Sequence, residues 1–309
     1  MWIGDATCAA DNFTAQVASI HAKLKAWKSR PLSELGKVMV ANVLLYSRLW
    51  YRTEIWSPPG NMPGGGCGNV GAVVAKWVFR GRQEVCRDRL RAAYEYGGAQ
   101  LADIGDKVKA QRVAWLCRLL AMPRGSFPRV LAAELIGDQR WGWRGLEVLA
   151  AEARVMERVG SAFYKEALKA WRELGPKVVT ERGTRASSRL YHNVQIVGAD
   201  GHPLRPVRWL VCRDVTAVRS LWTLSGFGLG GRGKWDEVAR LRGIAPEMPL
   251  SEPRYLFDIS EEGKDHTRVS FRELYVAFRR RARSGSRHYE EKWERALGAS
   301  LDGHWPGIW

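Results

Sequence analysis

The proline at position 31 stands between two apolar patterns of helical period, and this break constrains the fold more than any other feature of the chain. Upstream, Phe13, Val17, Ile20, Leu24 and Trp27 recur three or four residues apart, with Asp11 or Asn12 placed to cap the start. Downstream, Leu35, Val38, Leu45 and Leu49 form a second stripe that runs from about Glu34 towards Trp56, behind Ser33 as a cap. Proline has no N–H and its ring clashes with the preceding turn, so a single continuous helix is excluded. Two amphipathic helices joined by so short a break predict an antiparallel hairpin.

Beyond it, residues 57–72 read SPPGNMPGGGCGNVGA. Such a stretch has little apolar surface to set against its ordering entropy, and it predicts a linker. Helices are expected over Ala72–Arg91, Asp106–Ala121, Gly145–Arg158 and Ser161–Leu174, the last carrying Phe163, Ala167, Trp171 and Leu174 on one face. After the loop Gly175–Ser188 the pattern changes. Leu190–Val197 is rich in strand formers, Ala199-Asp200-Gly201 signals a turn, and Val211–Leu221 suits a short helix or strand. Ser270 and Glu273 have capping-box spacing at the head of a helix over Ser270–Arg283, and a last helix is expected over His288–Leu297. No fixed-period repeat is visible. The expected fold is mainly α, a helical bundle over 1–56 followed by a linker at 57–72, a helical region over 73–175 and a small mixed α+β part over 176–309.

Charge limits the partners. Across 309 residues, 49 Lys and Arg face 32 Asp and Glu, leaving +17 and a pI near 10.0. Such an excess favours a polyanion, with nucleic acid ahead of an anionic membrane, because each neutralised phosphate releases counterions. The 15 Trp can stack on bases, but their apolar spacings make core filling the default for each. Cys8, Cys67, Cys86, Cys117 and Cys212 are scattered and never form a Cys-x-x-Cys pair, which leaves a disulfide framework and a zinc site without support. A reducing, intracellular location (nucleus or cytoplasm) is expected. Neither a signal peptide nor a run of transmembrane length is seen.

Catalytic patterns are weak. Gly226, Gly228 and Gly231 satisfy G-x-G-x-x-G, and Lys234 nearly completes a phosphate-binding loop, but Trp235 follows where a Ser or Thr must hold magnesium. No alternating strand–helix pattern surrounds these glycines, so a surface loop is the preferred reading over a nucleotide-dependent enzyme. Nucleotidyl transfer on paired metals needs adjacent carboxylates, and no Asp-Asp pair occurs. Asp103 and Asp106 are three apart, with Asp106 assigned as a helix cap. His192 and His202 flank an expected hairpin and are read as structural. No enzyme activity, cofactor or small-molecule substrate is expected. The basic segments say more. Lys76, Arg80, Arg82, Arg87, Arg89 and Arg91 interleave with Trp77 and Phe79, and Arg279, Arg280, Arg281 and Arg283 end the helix that begins near Ser270. Either cluster suits a phosphate backbone, against a plain reading as solvated charge at helix ends.

An ordered series of short blocks carries a family resemblance. Trp27, Arg30, Leu32, Ser33, Gly36, Lys37 and Val38 fit the W-x-x-R-x-L-S-x-x-G-K/R-V segment of non-LTR (LINE-type) retrotransposon reverse transcriptases, where it follows the palm in the thumb. Lys76-Trp77-Val78-Phe79-Arg80-Gly81 resembles the later F-L-W-x-G-like stretch, and Gly97-Gly98, Leu101 and Asp103 resemble its G-G-L-x-L-x-D segment. Phe163-Tyr164 through Ala170-Trp171, and Leu190-Tyr191-His192-Asn193 through Trp209, are similar to two blocks further on. The resemblance runs to about Trp222, and Met1–Gly4 resembles the end of the palm. It implies a thumb and a connection-like region without fingers, palm or Tyr-x-Asp-Asp motif, as in a truncated or remnant reading frame. The implied role is positioning RNA or an RNA–DNA template–primer, with the rest of the polymerase as second partner. Lys28, Arg30 and Lys37 would lie near the backbone, joined by Lys76, Arg80, Arg82, Arg87 and the 279–283 arginines. A stand-alone basic RNA- or DNA-binding protein derived from such an element is the alternative.

Overall fold

A computed structural model of the chain describes residues 6–55, 66–79, 90–92, 98–123, 125–136, 145–151, 153–156, 159–179, 190–193, 202–206, 254–259, 263–284 and 295. These residues are mostly helical, with strands confined to one small antiparallel sheet, as the mainly α expectation required. They divide into two compact units, residues 1–111 with 271–309, and residues 112–270. No described helix is long and apolar enough to cross a membrane.

In the first unit, α1 (Ala6–Trp27) buries Phe13, Ile20 and Leu24. It starts ahead of the cap expected at Asp11 or Asn12, since Ala6, Ala9 and Ala10 are strong helix formers that carry the helix upstream. Past Pro31, α2 (Glu34–Val40) begins under Ser33, whose Oγ accepts from the Gly36 N–H at 3.1 Å. The single second helix expected from sequence is instead three pieces: α2, a π-helical turn over Ala41–Leu45, and α3 (Ser47–Ile55). The wider turn lets Ala41, Leu45, Tyr46 and Leu49 all reach the core.

The helix α4 (Gly66–Val78) corrects the linker reading, because it starts inside the glycine-rich stretch. Val70, Val74 and Val78, four apart, are buried, and that stripe outweighs the helix-weakening glycines before it. α1 lies against α3 and α4, and α2 against α4. α5 (Ile104–Ala121) adds Ile104 and Val108 to the same apolar cluster. A glutamine ties it to α3: Gln111 Oε1 accepts from Thr53 Oγ1 at 2.7 Å, and its Nε2 donates to the Trp50 carbonyl at 3.0 Å. The Lys107 ammonium sits 4.0 Å from the centre of the Trp50 ring. A further helix, α9 (Phe271–Ser284), starts directly after Ser270 and buries Leu274 and Phe278.

The second unit takes up α5 from Arg112, burying Val113, Leu116, Leu119 and Leu120. α6 (Phe127–Ile136) rests against a 3-10 turn at Gly145–Ala150, which is followed by the short α7 (Ala153–Met156). The single helix expected over Gly145–Arg158 is thus broken. α8 (Ala162–Leu174) matches its expected span and ends at Gly175, whose φ of 55° and N–H bond to the Trp171 carbonyl make a left-handed cap. The sheet pairs β1 (Lys177–Val179), β2 (Arg254–Phe257) and β3 (Lys264–Asp265), with Val178 opposite Tyr255 and Leu256 opposite Asp265. Two residues apart on one strand, Tyr255 and Phe257 share a face, and both meet the buried Trp171 ring edge-on, at 4.9 and 5.3 Å.

Where a strand was expected from Leu190, the described residues 190–193 make a turn, and Asn193 bridges to Ala151. The His192 N–H donates to the Leu204 carbonyl at 2.8 Å, so the two flanks of the expected hairpin do meet. Residues 194–201, Val211–Leu221 and the Gly226–Lys234 loop lie outside the described residues, as does all of His288–Leu297 except the helical Arg295.

Cys117 is buried on α5, and burial, with the Asp265 carboxylate adding to it, pushes its thiol up to about 12. Its reaction with Ellman's reagent at pH 8 should therefore be negligible in the folded chain and appear on unfolding in urea. Fast labelling of Cys117 in native protein, identified by mass spectrometry, would contradict this burial.

Candidate nucleic-acid interface

The turn between α1 and α2 brings the first expected contacts to the surface. Backbone bonds from the Lys28 N–H to the Lys25 carbonyl and from the Arg30 N–H to the Trp27 carbonyl close it tightly before Pro31. Lys25, Lys28 and Arg30 are all exposed there. The Arg30 guanidinium lies 4.4 Å from the centre of the Trp27 ring. Stacking of this kind fixes the planar fork while leaving its N–H edges outward, which suits a phosphate oxygen. Lys76, in the last turn of α4, is also exposed.

Lys37 is corrected. It is 6% exposed, and its Nζ donates to the Val78 carbonyl at 3.0 Å, at the end of α4, with the Trp77 ring 5.9 Å away. An ammonium at a helix C-terminus meets the negative end of the dipole and an orphan carbonyl, so this lysine joins two helices and does not face a phosphate. Arg279 is corrected likewise. Its guanidinium sits 3.1 Å from Asp106 Oδ2 and 3.9 Å from Asp103 Oδ2. Arg280 and Arg281 are exposed on α9. The Arg283 side chain and residues Arg80, Arg82 and Arg87 lie outside what is described.

The acidic partners form the polar centre of the first unit. Asp103 precedes α5, and its Oδ1 accepts from the Asp106 N–H at 2.9 Å, which makes Asp103 the helix cap in place of Asp106. Its Oδ2 pairs with Arg91 at 2.6 Å, and its own N–H donates to the Tyr275 hydroxyl at 3.0 Å. Just upstream, the Gln100 and Leu101 N–H groups donate to the Ala92 and Leu90 carbonyls. Gly98 there sits so close to the Ala92 carbonyl that a Cβ at this position would overlap it. Gln100 holds a φ of 57°, and Asn42 grips the segment from the π-helical turn, donating to the Gln100 carbonyl and accepting from the Ala102 N–H. Asn42 was not picked out in the sequence; an amide inside an otherwise apolar helical run was its available signal.

Burial, then the neighbouring Asp103 carboxylate, raises the Asp106 carboxyl above its ordinary value, while Arg279 and Lys109 pull it down. Among the described residues no group of three or more His, Cys, Asp or Glu is placed to hold a metal ion. No protein-family model, curated protein or solved structure matches the chain.

Two predictions follow from this centre. Asp103→Asn keeps a good cap but removes both ion pairs, whereas Asp103→Ala removes cap and pairs, so urea melts should place the alanine variant about 1 kcal/mol below the asparagine one. Equal losses would mean the cap contributes nothing. For Asp106, a folded pKa above the unfolded one gives a contribution present at acid pH and lost as pH rises through the folded pKa. Asp106→Asn should therefore compare more favourably with the parent at pH 7 than at pH 4. The reverse order would show that Arg279 outweighs burial.

Proposed function

We propose that the chain is a non-catalytic, nucleic-acid-binding portion of a LINE-type reverse transcriptase that holds an RNA or RNA–DNA template–primer by its backbone. The observation that carries this reading is the α1–α2 turn, where exposed Lys25, Lys28 and a stacked Arg30 project from a chain of net charge +17. Neutralising phosphates there releases counterions, which favours binding whatever the base sequence. The resemblance lends support from a second direction, since its first two blocks touch one another. Lys37 of the first block bonds to the Val78 carbonyl of the second. The spacing of these blocks thereby has a mechanical sense in a helical unit that would hold a surface in place.

Met39 on α2, Val43 in the π-helical turn and Tyr51 on α3 are exposed, at 64, 64 and 62%. Exposed apolar groups on one hairpin suit contact with the remaining part of a polymerase. Positioning needs no group on this chain to react, only rigid placement of charge.

Fluorescence anisotropy with a labelled RNA–DNA duplex between about 50 and 200 mM salt tests the proposal. Affinity should fall linearly on a log–log plot. The double change Lys28→Ala with Arg30→Ala should make the slope shallower by about 1 to 2, one contact for each lost phosphate partner. Affinity that ignores salt, or a slope unaltered by the double change, would overturn the assignment of this turn.

A further inference from the structure

The basic surface of the α1–α2 turn continues back along α1. His21, Lys25 and Lys28 stand four and then three positions apart, and all three are exposed. At about 100° per residue they fall within roughly 60° of one another around the helix axis, so they share one flank. Lys28 lies one residue past the end of α1, where its N–H bond to the Lys25 carbonyl keeps it close to that winding. Phe13, Ile20 and Leu24 hold the neighbouring stripe of the helix in the core. From His21 to Lys28 is about 10 Å along the axis at ~1.5 Å per residue, room for roughly three phosphates at the ~3.4 Å rise of one duplex strand.

The surroundings of this flank are one-sided in charge. Between Asp11 and Glu34 the chain has no Asp or Glu, against Lys23, Lys25, Lys28 and Arg30. α3 and α4 pack on α1, and their charged residues are Arg48, Arg52, Glu54 and Lys76. Arg48 donates to the Ser19 hydroxyl at 2.8 Å, which brings another cation onto α1. Glu54, the one carboxylate of α3 and α4, is six positions past Arg48, about 9 Å further along its helix. Across the turn, α2 adds Glu34 and the buried Lys37. Among the described residues, no hydrogen bond or ion pair holds the His21 imidazole. A neutral imidazole offers a phosphate one uncharged donor, whereas an imidazolium offers a charge and two donors. Histidine is the side chain that ordinarily makes this change between about pH 5 and 8, and a phosphate beside it favours the charged form.

We propose that the bound nucleic-acid backbone runs on from Lys28 and Lys25 to His21, and that His21 grips a phosphate only when protonated. The inference rests on the backbone-binding reading and adds to it a further contact residue and a dependence on pH. Binding tightens as pH falls, and its salt dependence steepens with it, because one more counterion is released.

Fluorescence anisotropy of the full chain with a labelled RNA–DNA duplex, titrated with salt at pH 8 and again at pH 6, is the test. The lower pH should tighten binding about two- to fivefold, the range of an exposed ion pair, and steepen the log–log salt slope by up to about 0.9. His21→Gln, at an exposed position, should lose most of this change. The remaining histidines and the carboxylates act equally in parent and variant, so the difference between the two isolates His21. His21→Lys should bind at pH 8 as the parent does at pH 6. A pH response in His21→Gln equal to the parent's, or His21→Lys no tighter than the parent at pH 8, would overturn the proposal. Salt-sensitive binding at pH 8 would then leave the backbone reading standing, whereas binding that ignores salt at both pH values would overturn the two together.

Discussion

The first unit hangs on Asp103. Its carboxylate caps α5 with one oxygen and pairs with Arg91 and, at longer range, Arg279 of α9 through the other, while its backbone N–H donates to the Tyr275 hydroxyl of α9. It thereby joins a helix start, a segment just before it in sequence, and a helix from the far end of the chain. A half-satisfied buried charge is worse than none, so the arrangement stands because both oxygens are engaged. Around it the chain accepts local costs, a left-handed Gln100 and a glycine pressed on a carbonyl, to keep residues 98–102 in place.

The helices that rest on strong periodicity were legible in the sequence. α1 and α8 have apolar residues every three or four positions, and their ends carry familiar stops, Pro31 and Gly175. What escaped the sequence was decided by partners distant along the chain. α4 forms across glycines because Val70, Val74 and Val78 have a core to enter, which local composition does not reveal. The interruption at Ala41–Leu45 has no glycine or proline to announce it. Asp103 and Asp106 both suited a cap, and only the bond from the Asp106 N–H decides between them.

The basic residues teach a related lesson. A net charge counts every lysine and arginine alike, but Lys37, Arg91 and Arg279 serve the fold from inside, each held by an oxygen. In the candidate interface, Lys28 and Arg30 remain on the surface, and Lys76 with them, while Lys37 does not. Spacing alone cannot separate these roles, since a lysine on a helix start looks the same whether its stem runs outward or beneath a neighbouring helix. A carbonyl at the end of that neighbour makes the difference.

The π-helical turn has a consequence for how this chain can change over time. Each residue of an α-helix advances its neighbours by about 100°, so the turn at Ala41–Leu45 acts as a phase shifter between α2 and α3. Exposed Val43 can be exchanged for other residues at little cost to the packing of this unit, because nothing in the core depends on its side chain. Losing one residue from the turn is also tolerable: four residues wound at about 100° each turn nearly as far as five in the wider turn, so the stretch would close to ordinary α-helix with Leu49 still in the core and Thr53 still aligned with Gln111. A residue gained there would have no such wider turn left to absorb it, so this stretch can shorten more easily than it can lengthen.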